Sequence, residues 1–339
     1  MSKHNSFEPG RRKTGSRWRI STLLSLFLGA SVLGSVPAAW PQELKQLYIG
    51  TPARSVAWFP LFLAIKKRFF EKEGLLLRPV IMDTRIIVPA LASKEIPYST
   101  GLGSTMIGAA GGLPIKVIMI LGGKTHLVLV TRPEIASPRD LRGRTVAVTR
   151  PGSDVHRMLV LVAKKFGMEP QDVKILGVGD LTNRVNALRR KIVDGAVLSV
   201  PYDYLVEKEG FRRLLYFKDF MDVPIIGLTT HDDRIRDRPE EVKKIITAIV
   251  RGIAYAKSRR QEAVPLLREF VGLESLEVAE KAYDAVKDMW PDNGLPSNQG
   301  LRNAITIADI APTVSIDKLV NWGPLKEVLA SSGGDPLLH

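Results

Sequence analysis

Residues 140–159, DLRGRTVAVTRPGSDVHRML, and residues 178–210, VGDLTNRVNALRRKIVDGAVLSVPYDYLVEKEG, set the architecture. The first begins with a short apolar strand, Thr145 to Thr149, followed by a Pro-Gly-Ser turn and a helix. A second strand, a second helix and a third strand running into Pro201 follow. Each strand therefore delivers a polar loop to one sheet edge. In an open α/β sheet that carboxyl edge is where ligands sit, because the loops and helix amino termini there present unpaired backbone N–H groups.

Upstream of this segment the same alternation holds. Leu44 to Gly50 reads as a strand and Trp58 to Glu73 as a helix closed by Gly74, with Leu61, Phe62, Ile65, Phe69 and Phe70 on one face. Leu75 to Met82 is a second strand, followed by a helix over Ile86 to Ser93, a short strand at Tyr98, a small-residue helix from Ser104 to Gly111 and the apolar run Ile115 to Leu121. Repeated βα units with short connections predict an α/β protein with a mostly parallel sheet covered on both sides. At 339 residues the chain exceeds what one compact core usually holds, so two lobes are expected.

After Thr230 the pattern turns helical. Pro239, Glu240 and Glu241 suit a first helical turn, with Asp237 as a possible cap. Val242, Ile245, Ile246, Ile249 and Ile253 then form one buried stripe. Further helices are expected over 262–270, 276–289, 298–308 and 324–330. Such a tail cannot complete a sheet and must pack on a lobe already built.

Residues 1–38 have the order of a cleavable signal peptide. Lys3, Arg11, Arg12, Lys13, Arg17 and Arg19 oppose only Glu8 and precede the apolar run Ile20 to Val36, which ends at Ala38 and Ala39. An uncleaved anchor is the alternative, although Gly29, Gly34 and Pro37 favour cleavage. Export places the product in the periplasm if the envelope has two membranes. Losing the leader's six basic residues and one acid takes the net charge from +14 to +9. The remaining cations are interspersed with acids, so a solvated surface is expected and nucleic acid is not.

Absent motifs narrow the chemistry. With no cysteine there is no disulfide, thiolate chemistry or lipid-modified cysteine. No HExxH, P-loop or GxSxG occurs. Beyond the leader, His126, His156, His231 and His339 are too scattered for a multi-histidine zinc site. The cluster His231-Asp232-Asp233 is equally explained by a turn at a helix start. Neither a metal nor a cofactor is expected.

The strings DLRGRTVAVTRPGS, AL…VDGAV…P…EG (Ala187 to Gly210) and RPEEVKKIITAIVRGIAYA resemble the periplasmic substrate-binding proteins of nitrate, sulfonate and taurine-type ABC importers, in the group that also holds binders of thiamine-pyrimidine precursors. The likeness runs over roughly residues 44 to 330. It implies a type II periplasmic-binding-protein fold: two α/β lobes with a ligand cleft between them and a helical C-terminal section. Lobe one would be 44–134 plus 229–339, and lobe two 135–228. It also implies a monomer that closes on a small molecule and presents it to an ABC permease in the inner membrane.

Carried onto this chain, the resemblance nominates loops at the cleft. The loop after the first strand holds Arg54, Ser55 and Trp58; Trp58 could stack on a ligand or simply pack inward. TGLGSTM puts Ser104 and Thr105 at a strand-to-helix turn, where they meet an anion or merely belong to a close-packed helix. GGKTH brings Lys124 and His126 to the crossover between lobes. RPGSDVHRML is the strongest candidate: Gly152 admits close backbone approach, Ser153 can cap the helix, and His156 and Arg157 offset Asp154, which could instead face a ligand amine. GVGD and LSVPYDY add Asp180, Ser199, Pro201 and Tyr202, with Asp180 also readable as a cap and Tyr202 as core. Basic groups hint at an anionic ligand and the aromatics at a heterocycle. An enzyme on the same architecture, such as a pyrimidine-precursor synthase or a menaquinone-pathway lyase, and a ligand-sensing module are the rival readings.

Overall fold

A computed structural model describes residues 43–51 and 55–331. The leader, its cleavage site and Arg54 lie outside the described residues. Among those described, ten strands build two five-stranded sheets. The first, in the order β2-β1-β3-β10-β4, contains β1 (Lys45–Thr51), β2 (Leu75–Ile81), β3 (Tyr98–Gly101), β4 (Ile115–Gly122) and β10 (Ile226–His231). The second, β7-β6-β8-β5-β9, contains β5 (Leu127–Thr131), β6 (Thr145–Val148), β7 (Lys174–Gly177), β8 (Gly195–Ser199) and β9 (Arg212–Tyr216).

The two sheets follow one plan. In each, three neighbouring strands run parallel and a reversed strand separates them from the outermost one. The expected parallel character holds for four strands of five. The exceptions are β10 and β5, and these are the strands by which the chain enters a sheet from the other one. The crossings between sheets fall a few residues before the expected boundaries at 134/135 and 228/229. β5 already pairs with β8 and β9, Leu127 opposite Ser199 and Leu129 opposite Leu215, while Ile226 already pairs with Gly122 in the first sheet. The apolar runs of β4 and β5 are separated only by Gly123 to His126, too short a gap to betray a change of sheet. We propose the lobe boundaries at these crossings, 123–126 and 217–225, which are tied together where Ile225 N donates to Gly122 O at 2.9 Å.

Helix positions follow from the sequence pattern with two adjustments. The helix expected over 58–73 is split into Phe59–Lys66 and Phe69–Lys72, because Arg68 adopts a left-handed φ of 60° between them. The helix Pro239–Ser258 buries Val242, Ile245, Ile246, Ile249 and Ile253 as a single stripe. Arg238, and not Asp237, occupies its cap position, since Asp237 ends the short helix Asp232–Asp237. His231 caps that short helix through Nδ1, which accepts from Asp233 N at 3.0 Å.

Pro239–Ser258 lies close against Phe59–Lys66. A Cβ on Gly252 would stand 2.3 Å from Pro60 O, so only glycine permits this approach. Trp290, fully buried, packs on Phe59 and Tyr283 with ring centroids 5.7 and 5.8 Å away. The helical tail also reaches the second sheet's elements: Tyr204 Oη donates to Lys281 O at 3.3 Å and Lys218 Nζ to Ala285 O at 2.8 Å. Among the described residues no helix is long and apolar enough to cross a membrane.

Candidate functional site

The loops leaving β1, β3, β6 and β8 and the two crossings converge on a cleft with two adjoining chambers. One, of about 290 Å³, is walled mainly by apolar side chains, among them Trp58, Leu102, Met158, Leu181, Ile225 and Ile307. The other, of about 450 Å³, is the more polar of the two and includes Thr100, Ser104, Thr149, Arg150, Gly152 and Ser153. Leu102, Gly103, Asp154, Val155, Ile225 and Ile226 belong to both, so the two chambers adjoin along these residues. Both sheets and the helix Asn298–Ile307 contribute to its walls.

In the apolar chamber, Ser55 Oγ lies 3.1 Å from His126 Nε2 and also accepts from Ala57 N at 3.3 Å. His126 Nδ1 is buried and has no partner among the described residues. Burial, and secondarily the positive charge of Arg184, push the His126 imidazole down to about 4. The ring is therefore neutral at neutral pH. Trp58 combines its two expected alternatives: it is only 5% exposed and it also lines the chamber. Its indole N–H finds no acceptor among the described residues. Ser199 completes the wall on the second lobe.

The polar chamber lies where two helices begin. Helix Leu102–Ala110 follows Gly101, which offers no side-chain cap, so its first-turn N–H groups lack that partner. Helix Asp154–Lys165 is capped by Ser153, whose Oγ accepts from His156 N at 3.3 Å and donates to Arg150 O at 2.8 Å. Gly152 has φ of +75° and donates its N–H to His156 Nδ1 at 2.8 Å. Arg157 is committed to the end of Asn298–Ile307, with Nη1 donating to Ile307 O at 2.7 Å and Nη2 near Asp309 Oδ2 at 3.4 Å. Asp154 faces both chambers; burial raises its carboxyl from the ordinary range, while Arg157 and Arg150 act in the opposite direction.

The structure thus gathers Ser55, Trp58, Ser104, His126, Gly152, Ser153 and Ser199 at the cleft. Six other candidates do not line either chamber. Lys124 is exposed to solvent, between Gly123, whose N–H is held by Met289 O, and the buried Thr125. Thr105 is buried within its helix. His156 is occupied by Gly152 N. Asp180 caps the helix Leu181–Arg189 by accepting from Asn183 N at 2.8 Å. Pro201 follows a cis peptide bond, and Tyr202 packs against the core. Among the described residues no group of three or more His, Asp or Glu side chains is arranged to hold a metal.

Several wall residues escaped sequence reasoning. Val223, Pro224 and Ile225 come from the return crossing, and Ala304, Ile307 and Ala308 from the tail. Only the first group had a signal, an apolar run ahead of β10. Arg184 was also missed: it is 6% exposed, its Nη1 donates to Val197 O, and burial lowers it to about 10.

The NMT1/THI5 like family matches residues 56–263, more than half of the chain. The chain belongs to that family. A riboflavin-binding protein, RibY of Chloroflexus aurantiacus, is 23% identical over 229 residues, which is 64% of this chain and 64%, just under two thirds, of RibY. Among solved structures, the periplasmic sulfonate-binding protein SsuA of Methylobacillus flagellatus superposes with a TM-score of 0.70 at 18% identity, over 86% of this chain and 96% of that one. The desulfurization enzyme DSZB superposes with a TM-score of 0.61 at 14% identity, over 85% of this chain and 99% of DSZB. These likenesses establish the periplasmic-binding-protein fold, a scaffold that carries both binders and an enzyme.

Proposed function

We propose that this NMT1/THI5-like protein is a periplasmic solute receptor: it captures a small organic molecule between its lobes and presents the closed form to an ABC permease. The observation that carries this reading is the cleft walled by both sheets and by the two crossing segments. Two crossings of a few residues let one lobe rotate on the other, and closure removes a ligand from water. The names of RibY and SsuA, binding proteins for riboflavin and for sulfonates, support it.

The Ser55–His126 pair supports binding over catalysis. A serine nucleophile needs a base poised near neutrality and oriented by a third group. His126 is pushed down to about 4, and its Nδ1 meets no carboxylate among the described residues. The pair is better suited to presenting fixed hydrogen-bonding atoms to a ligand.

Native mass spectrometry of the purified protein, followed by identification of any released compound, tests the reading. A stoichiometric small molecule, recovered unchanged after incubation and imported less by cells lacking this protein, is the expected result. Turnover of that compound by the purified protein would establish an enzyme instead.

A further inference from the structure

We propose that Asp154 selects the ligand: the apolar chamber takes a compound that brings an N–H donor to this carboxylate beside an apolar or aromatic body, and it rejects compounds whose polar group is an anion. This deepens the solute-receptor reading and rests on it. Among the residues that line the apolar chamber, Asp154 is the sole acid and there is no arginine or lysine. His126 adds no positive charge because its ring is neutral. Arg150 reaches only the polar chamber, and Arg157, also there, is already spent on Ile307 O and Asp309.

Asp154 is exposed to the open cleft, and neither of its oxygens has a hydrogen bond or an ion pair within 4 Å among the described residues. An ionised carboxylate is acceptor-only, so a ligand that displaces the water around it must bring a donor. It also spans the gap between lobes: a Cβ on Gly103, in the first turn of Leu102–Ala110, would lie 3.0 Å from Asp154 Oδ2. That helix amino terminus, together with that of Asp154's own helix, favours a negative charge at the meeting point of the chambers. The orphan Trp58 N–H is a separate buried polar group, 5% exposed, on the same wall. A ligand with an N–H edge and a neighbouring acceptor satisfies both, whereas a sulfonate places like charge against Asp154 in a weakly polar space.

The test is binding to the intact purified protein, by calorimetry and thermal shift, of an N–H series (riboflavin, cytosine, tryptamine) and an anionic series (hexanesulfonate, benzenesulfonate, nitrate). A member of the first series should bind, no member of the second should, and Asp154→Asn should weaken the bound probe about tenfold or more. The wild-type comparison needs no variant, so it stands even if Asp154→Asn folds poorly. Tighter binding by an anion, or an Asp154→Asn affinity within twofold of wild type, overturns the assignment and leaves the receptor reading intact. If both series are silent, the compound released from native protein decides: one with an N–H donor supports the assignment, and one without overturns it. Silence with no released compound overturns both readings.

Discussion

Ser55 Oγ and His126 Nε2, 3.1 Å apart, join the loop after β1 to the segment that crosses between the sheets. The bond places a neutral imidazole at the point where relative motion of the lobes would be absorbed. Its chemistry couples protonation to folding, because a buried ring pushed down to about 4 takes up a proton more readily when the chain unfolds.

The sign follows directly. Between about pH 4 and 6.5 the unfolded chain binds more protons at His126 than the folded one, so stability attached to this group is full above pH 6.5 and is lost as pH falls toward 4. The loss from pH 7 to pH 5 is on the order of 2 kcal/mol. Chemical denaturation at the two pH values should show it in wild type and show less of it in His126→Gln. Equal slopes in both proteins would exclude His126 as the source.

Asp203 works in the opposite direction. It is fully buried, and burial raises its carboxyl to about 6 against the charge of Arg213. The folded chain holds this proton between about pH 3.8 and 6, so its contribution to stability declines as pH rises through that window. Asp203→Asn keeps the shape without the charge and should flatten this decline, giving a melting temperature at pH 8 at or above that of wild type. A lower value at pH 8 would mean that the weak contacts to Tyr216 and Arg213, at 3.3 and 3.7 Å, outweigh desolvation.

Gly252→Ala should destabilise by about 1–3 kcal/mol or more, because its methyl group meets the Pro60 carbonyl oxygen 2.3 Å away on a backbone that cannot swing aside. Thermal unfolding would register a fall of several degrees. An unchanged melting temperature would show that the two helices can separate at little cost.

Trp58→Phe isolates the indole N–H. An aromatic ring still walls the chamber and a buried donor without a described partner disappears, which offsets part of the cost of the smaller phenyl, so the loss of stability should be about 1–2 kcal/mol. Trp58→Ala should instead cost about 3–5 kcal/mol through the space it leaves. Calorimetry on both variants distinguishes a donor used by the ligand, which weakens Trp58→Phe, from a ring used only as a surface, which does not.

Much of the fold was legible because it rests on local periodicity. The stripe from Val242 to Ile253, the strand-turn-helix at Thr145 to Leu159 and the capping roles of Ser153 and Asp180 are short-range relations, so residue order carries them. The same locality limits what the loops reveal about the cleft wall. His156 and Lys124 have the right chemistry in the right loops, but whether they face the cleft depends on Gly152 N and on the anchoring of Gly123 by Met289 O.

From the chain alone came the βα alternation, the helical tail and the loops that meet at one edge, all consequences of apolar spacing and turn residues, and, from its motifs, the family resemblance. Tertiary structure alone decided that β5 belongs to the second sheet, that Ala304 and Ile307 of the tail wall the cleft, and that Asp154 meets Gly103 across it. Those contacts join residues far apart in sequence, and no local pattern records which backbone edge or helix face will close over them.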